Sequence, residues 1–197
     1  VVAGCMPARY GEDLEHELPE VSGFVPCARE DNIVDVIDKL LGVERIGDGS
    51  YAISTHPSTG RAIFSYVKIS DGCDRFCAYC AIPYIRGRYH SFTRDEVFAE
   101  VGRCVGNGAR EIVLIAQDTG RWGRDFEEPS SLARLLDELA CAYSETWFRL
   151  LYIQPEGVTD ELIDVVAAHD NVCSYFDIPF QHCDEEILRR MNRKGSR

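Results

Sequence analysis

From residue 62 onward, short apolar runs alternate with amphipathic segments in a regular order. Each apolar run is followed by a polar loop and then by a segment whose apolar residues recur at helical spacing. Parallel strands need such crossover helices, so this order predicts a parallel sheet that is either doubly wound or barrel-like. No glycine-rich dinucleotide fingerprint follows the first run, which weighs against a Rossmann domain. The predicted strands cover residues 62–69, 111–116, 147–153 and 174–180.

Residues that cap helices stand before each of the four predicted helices. Thr93 and Glu96 form a capping box, and Ser130 or Ser131, Thr159 and Asp184 precede the other three helices. The predicted core faces are Val97, Phe98, Val101, Cys104 and Val105; Leu132, Leu135, Leu136 and Leu139; Leu162, Ile163 and Val166; and Ile187, Leu188 and Met191. The last helix is expected to end near Gly195.

The first 50 residues have a different pattern. "VVAGCM" is typical of a buried strand that runs into a loop, and Asp31 is predicted to open a helix with an apolar face of Ile33, Val34, Ile37, Leu40 and Leu41. The stretch 44–62 is rich in Gly, Ser, Thr and Pro, which favours a linker. We therefore predict one region at 1–50, a linker at 51–61 and a second region at 62–197.

Composition limits where the chain acts and what it binds. The nine cysteines come with no apolar run of membrane-spanning length and no visible secretory signal, which predicts a reducing, cytoplasmic location. The net charge of −12 argues against non-specific binding of nucleic acid and suits a basic protein partner. Because the chain begins with Val-Val and stops at "RKGSR", we expect it to be a fragment of a longer protein.

Three cysteines lie within eight residues of the loop after the first predicted strand: Cys73, Cys77 and Cys80, in "SDGCDRFCAYCAIP". A closed zinc site needs four ligands, and no second CxxC or spaced His pair supplies the fourth. A thioredoxin-type CxxC leaves Cys73 unexplained. Three thiolates hold three irons of a cubane iron–sulfur cluster and leave the fourth iron open for a cofactor or substrate.

The spacing C-x3-C-x2-C after the first strand of a βα repeat resembles the radical S-adenosylmethionine (SAM) superfamily. The resemblance implies a partial (βα) barrel and a [4Fe-4S] cluster held by Cys73, Cys77 and Cys80, with SAM on the open iron. Reductive cleavage of SAM would then give a 5′-deoxyadenosyl radical that abstracts hydrogen from a C–H bond. A barrel of this family usually has six βα units, of which four are expected here.

"GCDRFCAYCAIPYIRGRYHS" resembles the methylthiotransferase branch of that superfamily, and "VVAGCM" resembles the end of its N-terminal domain. Cys5 then matches the last of three ligands of a second [4Fe-4S] cluster. "AQDTGRWG", "RLLYIQP" and "FDIPFQHCDEEILRRMNRKGS" resemble the ribosomal-protein (RimO-like) members, which modify the β-carbon of an aspartate in a small-subunit ribosomal protein. Cys183 departs from this pattern, which more often has Ala there.

The resemblance also implies roles for polar residues that follow the strands. Gln117 and Asp118 stand where the superfamily contacts the SAM amino group, and Gln181 and His182 stand near the expected ribose or methionine part. Arg86 can pair with a carboxylate of SAM or of the substrate. For each of these residues, an ordinary structural role is the alternative.

Two alternatives to a ribosomal-protein methylthiotransferase are compatible with the sequence. The first is a tRNA adenosine methylthiotransferase, from which the chain differs only in short motifs such as Gln117-Asp118-Thr119. The second is a non-enzymatic zinc or iron–sulfur binding module. The favoured function also requires an electron donor and a sulfur donor.

Overall fold

The computed structural model of the chain describes residues 1–43 and 63–193. These residues form two compact units, residues 1–43 with 80–87 and residues 63–79 with 88–193. The predicted linker at 51–61 lies outside the described residues, so the domain boundaries remain a prediction. In the described part of the chain, no helix combines the length and the apolar character needed to cross a membrane.

Eight strands and eight helices make up the described fold. The strands are β1 (Val2–Gly4), β2 (Phe24–Pro26), β3 (Phe64–Lys68), β4 (Ser70–Asp71), β5 (His90–Ser91), β6 (Glu111–Ile115), β7 (Trp147–Leu150) and β8 (Val172–Phe176). The helices are α1 (Cys5–Tyr10), α2 (Glu12–Glu17), α3 (Ile33–Leu41), α4 (Ile82–Ile85), α5 (Arg94–Gly106), α6 (Leu132–Ala142), α7 (Asp160–Ala168) and α8 (Glu185–Arg190).

The larger unit is built on a four-stranded parallel sheet in the order β3-β6-β7-β8. At least one helix follows each strand of the sheet, which confirms the predicted α/β fold with parallel strands and crossover helices. The bounds of the fourth strand were wrong, because it covers 172–176 instead of 174–180. Phe148 pairs with Val172, so the strand enters the sheet earlier than its apolar run suggests.

Helices α5 and α6 cover the sheet with the apolar faces that the sequence predicts. The Thr93–Glu96 capping box is present, and the hydroxyl of Ser131 accepts a hydrogen bond from the Arg134 amide at 3.1 Å. Two predicted core positions were wrong: Ile163 is 45% exposed and Ile187 is 36% exposed. The other predictions for these helices are confirmed at Leu162 and Val166 in α7 and at Leu188 in α8, which are buried.

Helix α8 ends at Arg190, so the expected continuation toward Gly195 was wrong as far as the described residues extend. Residues 194–197 lie outside them.

The smaller unit has a much thinner core. Strand β1 pairs in parallel with β2, a strand that the sequence reading missed. A 3-10 segment at Cys27–Asn32 precedes α3, so the predicted helix begins two residues later than Asp31. The predicted amphipathic helix is present, but none of the residues of α3 is buried, and Leu41 of its apolar face is 71% exposed.

Candidate functional site

The cysteine loop follows β3 and β4 at the carboxyl end of the sheet, as the sequence predicts for loops that carry chemistry. Cys73 is buried, whereas Cys77 and Cys80 are partly exposed. The chain passes from the larger to the smaller unit between Tyr79 and Cys80. Cys73 and Cys77 belong to the larger unit, and Cys80 belongs to the smaller unit.

Residues that follow α8 hold the backbone of the loop. The Ala78 amide donates to the carbonyl of Met191 at 2.9 Å, and the Asn192 side chain donates to the carbonyl of Phe76 at 2.8 Å. Phe76 has a φ of 48°, a conformation that an aromatic residue rarely adopts without support. These hydrogen bonds supply that support, so the segment after the fourth strand fixes the loop that begins after the first.

Arg75 lies between Cys73 and Cys77 in sequence and joins the loop to two other strand ends. Its Nε donates to Asp118 Oδ2 at 2.7 Å, and its Nη1 donates to Glu156 Oε1 at 2.9 Å. Asp118 follows β6 and is 0% exposed, and Glu156 follows β7. One guanidinium thus connects the ends of three neighbouring strands.

Burial and neighbouring charges both shift the pKa values of Asp118, Arg75 and Cys73. Burial raises the pKa of Asp118 above the ordinary value, although Arg75 acts in the opposite direction. Burial alone would lower the pKa of Arg75, but the charges of Asp118 and Glu156 raise it. Burial and the charge of Asp118 both raise the pKa of the Cys73 thiol, and Arg75 opposes them.

Two glycines set the separation of the loops that carry these carboxylates. Gly120 lies two residues after Asp118, and Gly157 follows Glu156 directly. A Cβ placed on Gly120 would stand 2.7 Å from the Gly157 Cα, closer than side-chain carbons approach a backbone. Only glycine at both positions allows the two backbones to touch in this way.

An open cavity of about 740 Å³ lies beside the loop within the larger unit. Five arginines and two acidic residues contribute to its lining, so positive charge predominates there. One of the arginines, Arg193, donates to the Tyr79 hydroxyl at 3.0 Å, to the Pro179 carbonyl at 2.7 Å and to the Gln154 side chain. The lining consists of Asp74, Arg75, Phe76, Cys77, Arg121, Arg124, Glu156, Arg189, Asn192 and Arg193.

The cavity has two features that suit a ligand such as SAM. Glu156 Oε2, which belongs to the lining, is buried and has no hydrogen-bond partner among the described residues. A ligand that carries an ammonium group or hydroxyls can satisfy such an acceptor, and the arginines can bind its carboxylate. Three thiols on one short segment are a donor set for a soft metal or an iron–sulfur cluster. The residues present therefore fit both groups.

The other predicted cofactor residues in the larger unit differ in position. Gln117 is partly exposed and Asp118 is buried beside Arg75, but neither residue lines the cavity. Gln181 and His182 are exposed and also do not line it. His182 Nδ1 accepts a hydrogen bond from the Asp184 amide at 2.9 Å, next to the cap of α8.

The remaining two predicted residues, Arg86 and Cys5, belong to the smaller unit. The Cys27 thiol donates to Cys5 Sγ across 3.7 Å. Burial and this contact raise the pKa of Cys27 to about 11, and the charge of Arg86 opposes that rise. The structure therefore places Cys5, Cys27 and Arg86 in one neighbourhood, which the sequence reading did not foresee.

Sequence reasoning missed Arg75, Glu156 and Arg193. Arg75 and Arg193 stand inside quoted motifs, and Glu156 stands in "QPEGVT", directly after the third predicted strand. For Arg75 and Glu156, the position after a strand was an available signal, whereas Arg193 follows helix α8. The pairing of Arg75 with Glu156 was not predictable, because the contact joins residues 81 positions apart.

Comparison with known families identifies the domain. Residues 67–197 match the family model described as the radical SAM superfamily. This stretch covers about two thirds of the chain and includes all three cysteines of the loop.

The chain is also similar to curated proteins along its whole length. It is 40% identical over 195 residues to the ribosomal protein uS12 methylthiotransferase RimO of Alkaliphilus oremlandii, covering 99% of this chain and 44% of that protein. Its identity to the protein of the same name from Syntrophotalea carbinolica is 43% over 203 residues, covering 98% of this chain and 44% of that protein. The chain thus spans less than half the length of these relatives.

Among solved structures, the radical SAM methyltransferase TsrM from Kitasatospora setae, with tryptophan and a SAM analogue bound, has a similar fold. The TM-score is 0.51 at 19% identity, over 65% of this chain and 24% of that one. At this identity the likeness supports the fold alone, which is a partial (βα) barrel.

Proposed function

Because the chain belongs to the radical SAM superfamily, we propose that it is the cluster-binding and SAM-binding part of a methylthiotransferase acting on a ribosomal protein. The single observation that carries this proposal is the similarity of about 40% identity over 99% of the chain to a uS12 methylthiotransferase. We infer that the target is the β-carbon of an aspartate in that small-subunit protein. Because the chain spans less than half the length of these relatives, we propose the complete activity for a protein of their length.

In this proposal Cys73, Cys77 and Cys80 ligate a [4Fe-4S] cluster, and SAM occupies the iron that lacks a thiolate. When bound, the cluster and SAM supply the electron and the radical needed to break an unactivated C–H bond. The chain's own contribution is to hold the loop. Arg75 anchors the loop to Asp118 and Glu156, and the segment after α8 fixes its far side.

The cavity residues bind and orient SAM in this proposal. Glu156 offers a buried, unpartnered carboxylate oxygen to the ammonium or a ribose hydroxyl of SAM. The arginines of the cavity provide charge-assisted hydrogen bonds to its carboxylate. The further proposed cofactor-binding residues are Gln117, Asp118, Gln181, His182 and Arg86.

Cys5 is the proposed ligand of a second [4Fe-4S] cluster, completed by two cysteines of the longer protein. Its contact with Cys27 supports a role for this neighbourhood in thiol or metal chemistry, because two thiols 3.7 Å apart can bind one ion.

The partners follow from the same proposal. A basic ribosomal protein complements the net charge of −12. The reaction requires an electron donor and a sulfur donor, and we propose that the protein works in the cytoplasm.

Anaerobic reconstitution tests the chemistry of the loop. We expect about four irons on the 73/77/80 loop and reductive release of 5′-deoxyadenosine from SAM. Replacing Cys77 by Ala should abolish both, whereas Cys183→Ser, which changes an exposed thiol outside the loop, should leave both intact. Tight zinc binding without SAM cleavage would support the non-enzymatic module instead.

The substrate is tested in the organism that carries the full-length gene. Mass spectrometry of uS12 and of tRNA from a deletion strain should show loss of the methylthio group from uS12 alone. Loss from tRNA adenosine would instead support the tRNA-modifying alternative.

A further inference from the structure

A second group of metal-binding side chains lies on the outside of the larger unit. Asp137, Cys141 and His169 bring a carboxylate oxygen, a thiol sulfur and an imidazole nitrogen to within 4.8 Å of one another. In the described part of the chain this is the one group of three such side chains that meets this limit. The four-stranded sheet separates it from the cysteine loop, since α6 ends where β7 begins and the loop follows the carboxyl ends of the strands.

The backbone places these three side chains without strain. Asp137 and Cys141 are four residues apart on α6, so they lie one turn above each other on the same helix face. His169 is the residue that ends α7, and its Nε2 lies 2.7 Å from Asp137 Oδ1. The side chains of α6 and of the residue that follows α7 therefore converge on one point.

A partly buried side chain joins the residues after α7 to the end of α6. The Nδ2 group of Asn171, two residues after His169, donates to the carbonyls of Ala140, Tyr143 and Thr146 at 3.1, 3.2 and 3.2 Å. These bonds join the residues around His169 to the last turn of α6. The backbone that carries the ligands is consequently held in place by the fold itself, which favours a binding site.

The electrostatics of this place favour a cation. The carboxyl ends of α6 and α7 both lie there, and each carries a partial negative charge from the helix dipole. Helices commonly offset that charge with Lys or Arg in the last turn. Neither α6 nor α7 has a basic residue in its last turn.

We propose that Asp137, Cys141 and His169 bind one Zn²⁺ ion, with water as its fourth ligand. A Cys, a His and a carboxylate are ordinary zinc ligands, and a three-residue site that keeps a water is a known zinc geometry. The ion takes the place of the proton between Nε2 and Oδ1, and these two atoms move apart from 2.7 Å to roughly 3.4 Å to accept it. Bound there, zinc joins α6 to α7.

The first experiment uses the reconstituted holoprotein, in which the iron–sulfur cluster engages the cysteine loop. Elemental analysis after addition of zinc and removal of loosely bound ions should find one zinc per chain in addition to the iron. Cys141→Ser and His169→Gln should each weaken zinc binding about 100-fold in competition with a chelating dye. The matched control is Cys183→Ser, which removes another exposed thiol of the same unit and should change nothing.

The second experiment identifies the ligands directly with Co²⁺ as the probe. In a background with Cys5, Cys27, Cys73, Cys77 and Cys80 all replaced by Ala, the cobalt form should show a thiolate-to-metal charge-transfer band that Cys141→Ser abolishes. Cys141→His should restore tight binding without that band, which separates loss of a ligand from loss of fold. The proposal is overturned if the holoprotein retains no zinc, or if zinc binds equally well to Cys141→Ser and His169→Gln.

Discussion

Arginine–carboxylate pairs occur in two contrasting settings in this chain. Arg75 binds Asp118 at the carboxyl end of the sheet, where the Asp118 side chain is 0% exposed and that of Arg75 only 22%. Arg189 and Glu186 form an equally short pair on α8, where their side chains are 73% and 60% exposed. The same contact has different consequences, because water competes for the second pair and is excluded from the first.

The largest effect should come from removing the buried partner of Arg75. Asp118→Ala leaves a largely buried guanidinium without its closest carboxylate, and we expect it to lower the free energy of unfolding by about 3 kcal/mol. Urea denaturation of the metal-free chain measures this. Asp118→Asn, which keeps the size and one acceptor oxygen, serves as the control and should cost less. A loss as small as that of a surface pair would contradict the comparison.

An intermediate effect is expected from Glu156→Gln. The amide keeps an oxygen that can accept the Arg75 hydrogen bond but removes the charge, and the side chain is 27% exposed. We expect a loss of about 1 kcal/mol in the same urea experiment. If the proposed contact with SAM is also correct, the affinity for SAM should fall in the reconstituted protein while iron content stays unchanged.

A small effect is expected on the exposed side of the comparison. Glu186→Gln breaks the pair with Arg189, yet both side chains remain solvated, so we expect a change of about 0.3 kcal/mol. The pair spans three residues of one helix, and added salt should reduce even this difference. A loss above about 1 kcal/mol would show that exposure does not govern the strength of these pairs.

The smallest effect is a difference in how stability depends on pH. Arg103 hydrogen-bonds Glu100 and lowers its pKa, so this group stabilises the fold above the ordinary Glu value and loses that contribution as the pH falls. Burial raises the pKa of Asp118, so its ionisation disfavours the fold as the pH rises from about 4 through the raised value. Urea midpoints of Glu100→Gln and Asp118→Asn, each compared with the parent chain, should therefore change in opposite directions with pH. Parallel profiles would contradict this assignment.

Much of the fold could be predicted from local pattern. The run at 111–116 is apolar because both sheet faces are covered at Ile112–Leu114, and the Thr93–Glu96 box marks the start of α5 within one residue. The fourth strand could not be placed this way. Its run extends to Phe180, which is 63% exposed, so apolar character continued beyond the strand.

The candidate site could be predicted only where its residues lie close together in the sequence. The spacing of Cys73, Cys77 and Cys80 indicates the chemistry by itself. The anchoring of the loop depends on Arg75 meeting Asp118, 43 residues away, and that contact exists only because β6 lies beside β3. Strand order is a property of the whole sheet, so no local pattern contains it. Helix α3 shows the same limit, since its apolar stripe predicted a helix but not what covers it.

The backbone contact between Gly120 and Gly157 has a consequence for how this edge of the sheet tolerates change. A methyl group on either glycine would push the two loops apart. The carboxylates of Asp118 and Glu156, which both bind Arg75, would then also separate. Strain at the Gly120–Gly157 contact, which carries no reactive group, would thus reach the cysteine loop through the Arg75 guanidinium. The absence of side chains at Gly120 and Gly157 thus sets the loop separation at which Arg75 binds both Asp118 and Glu156.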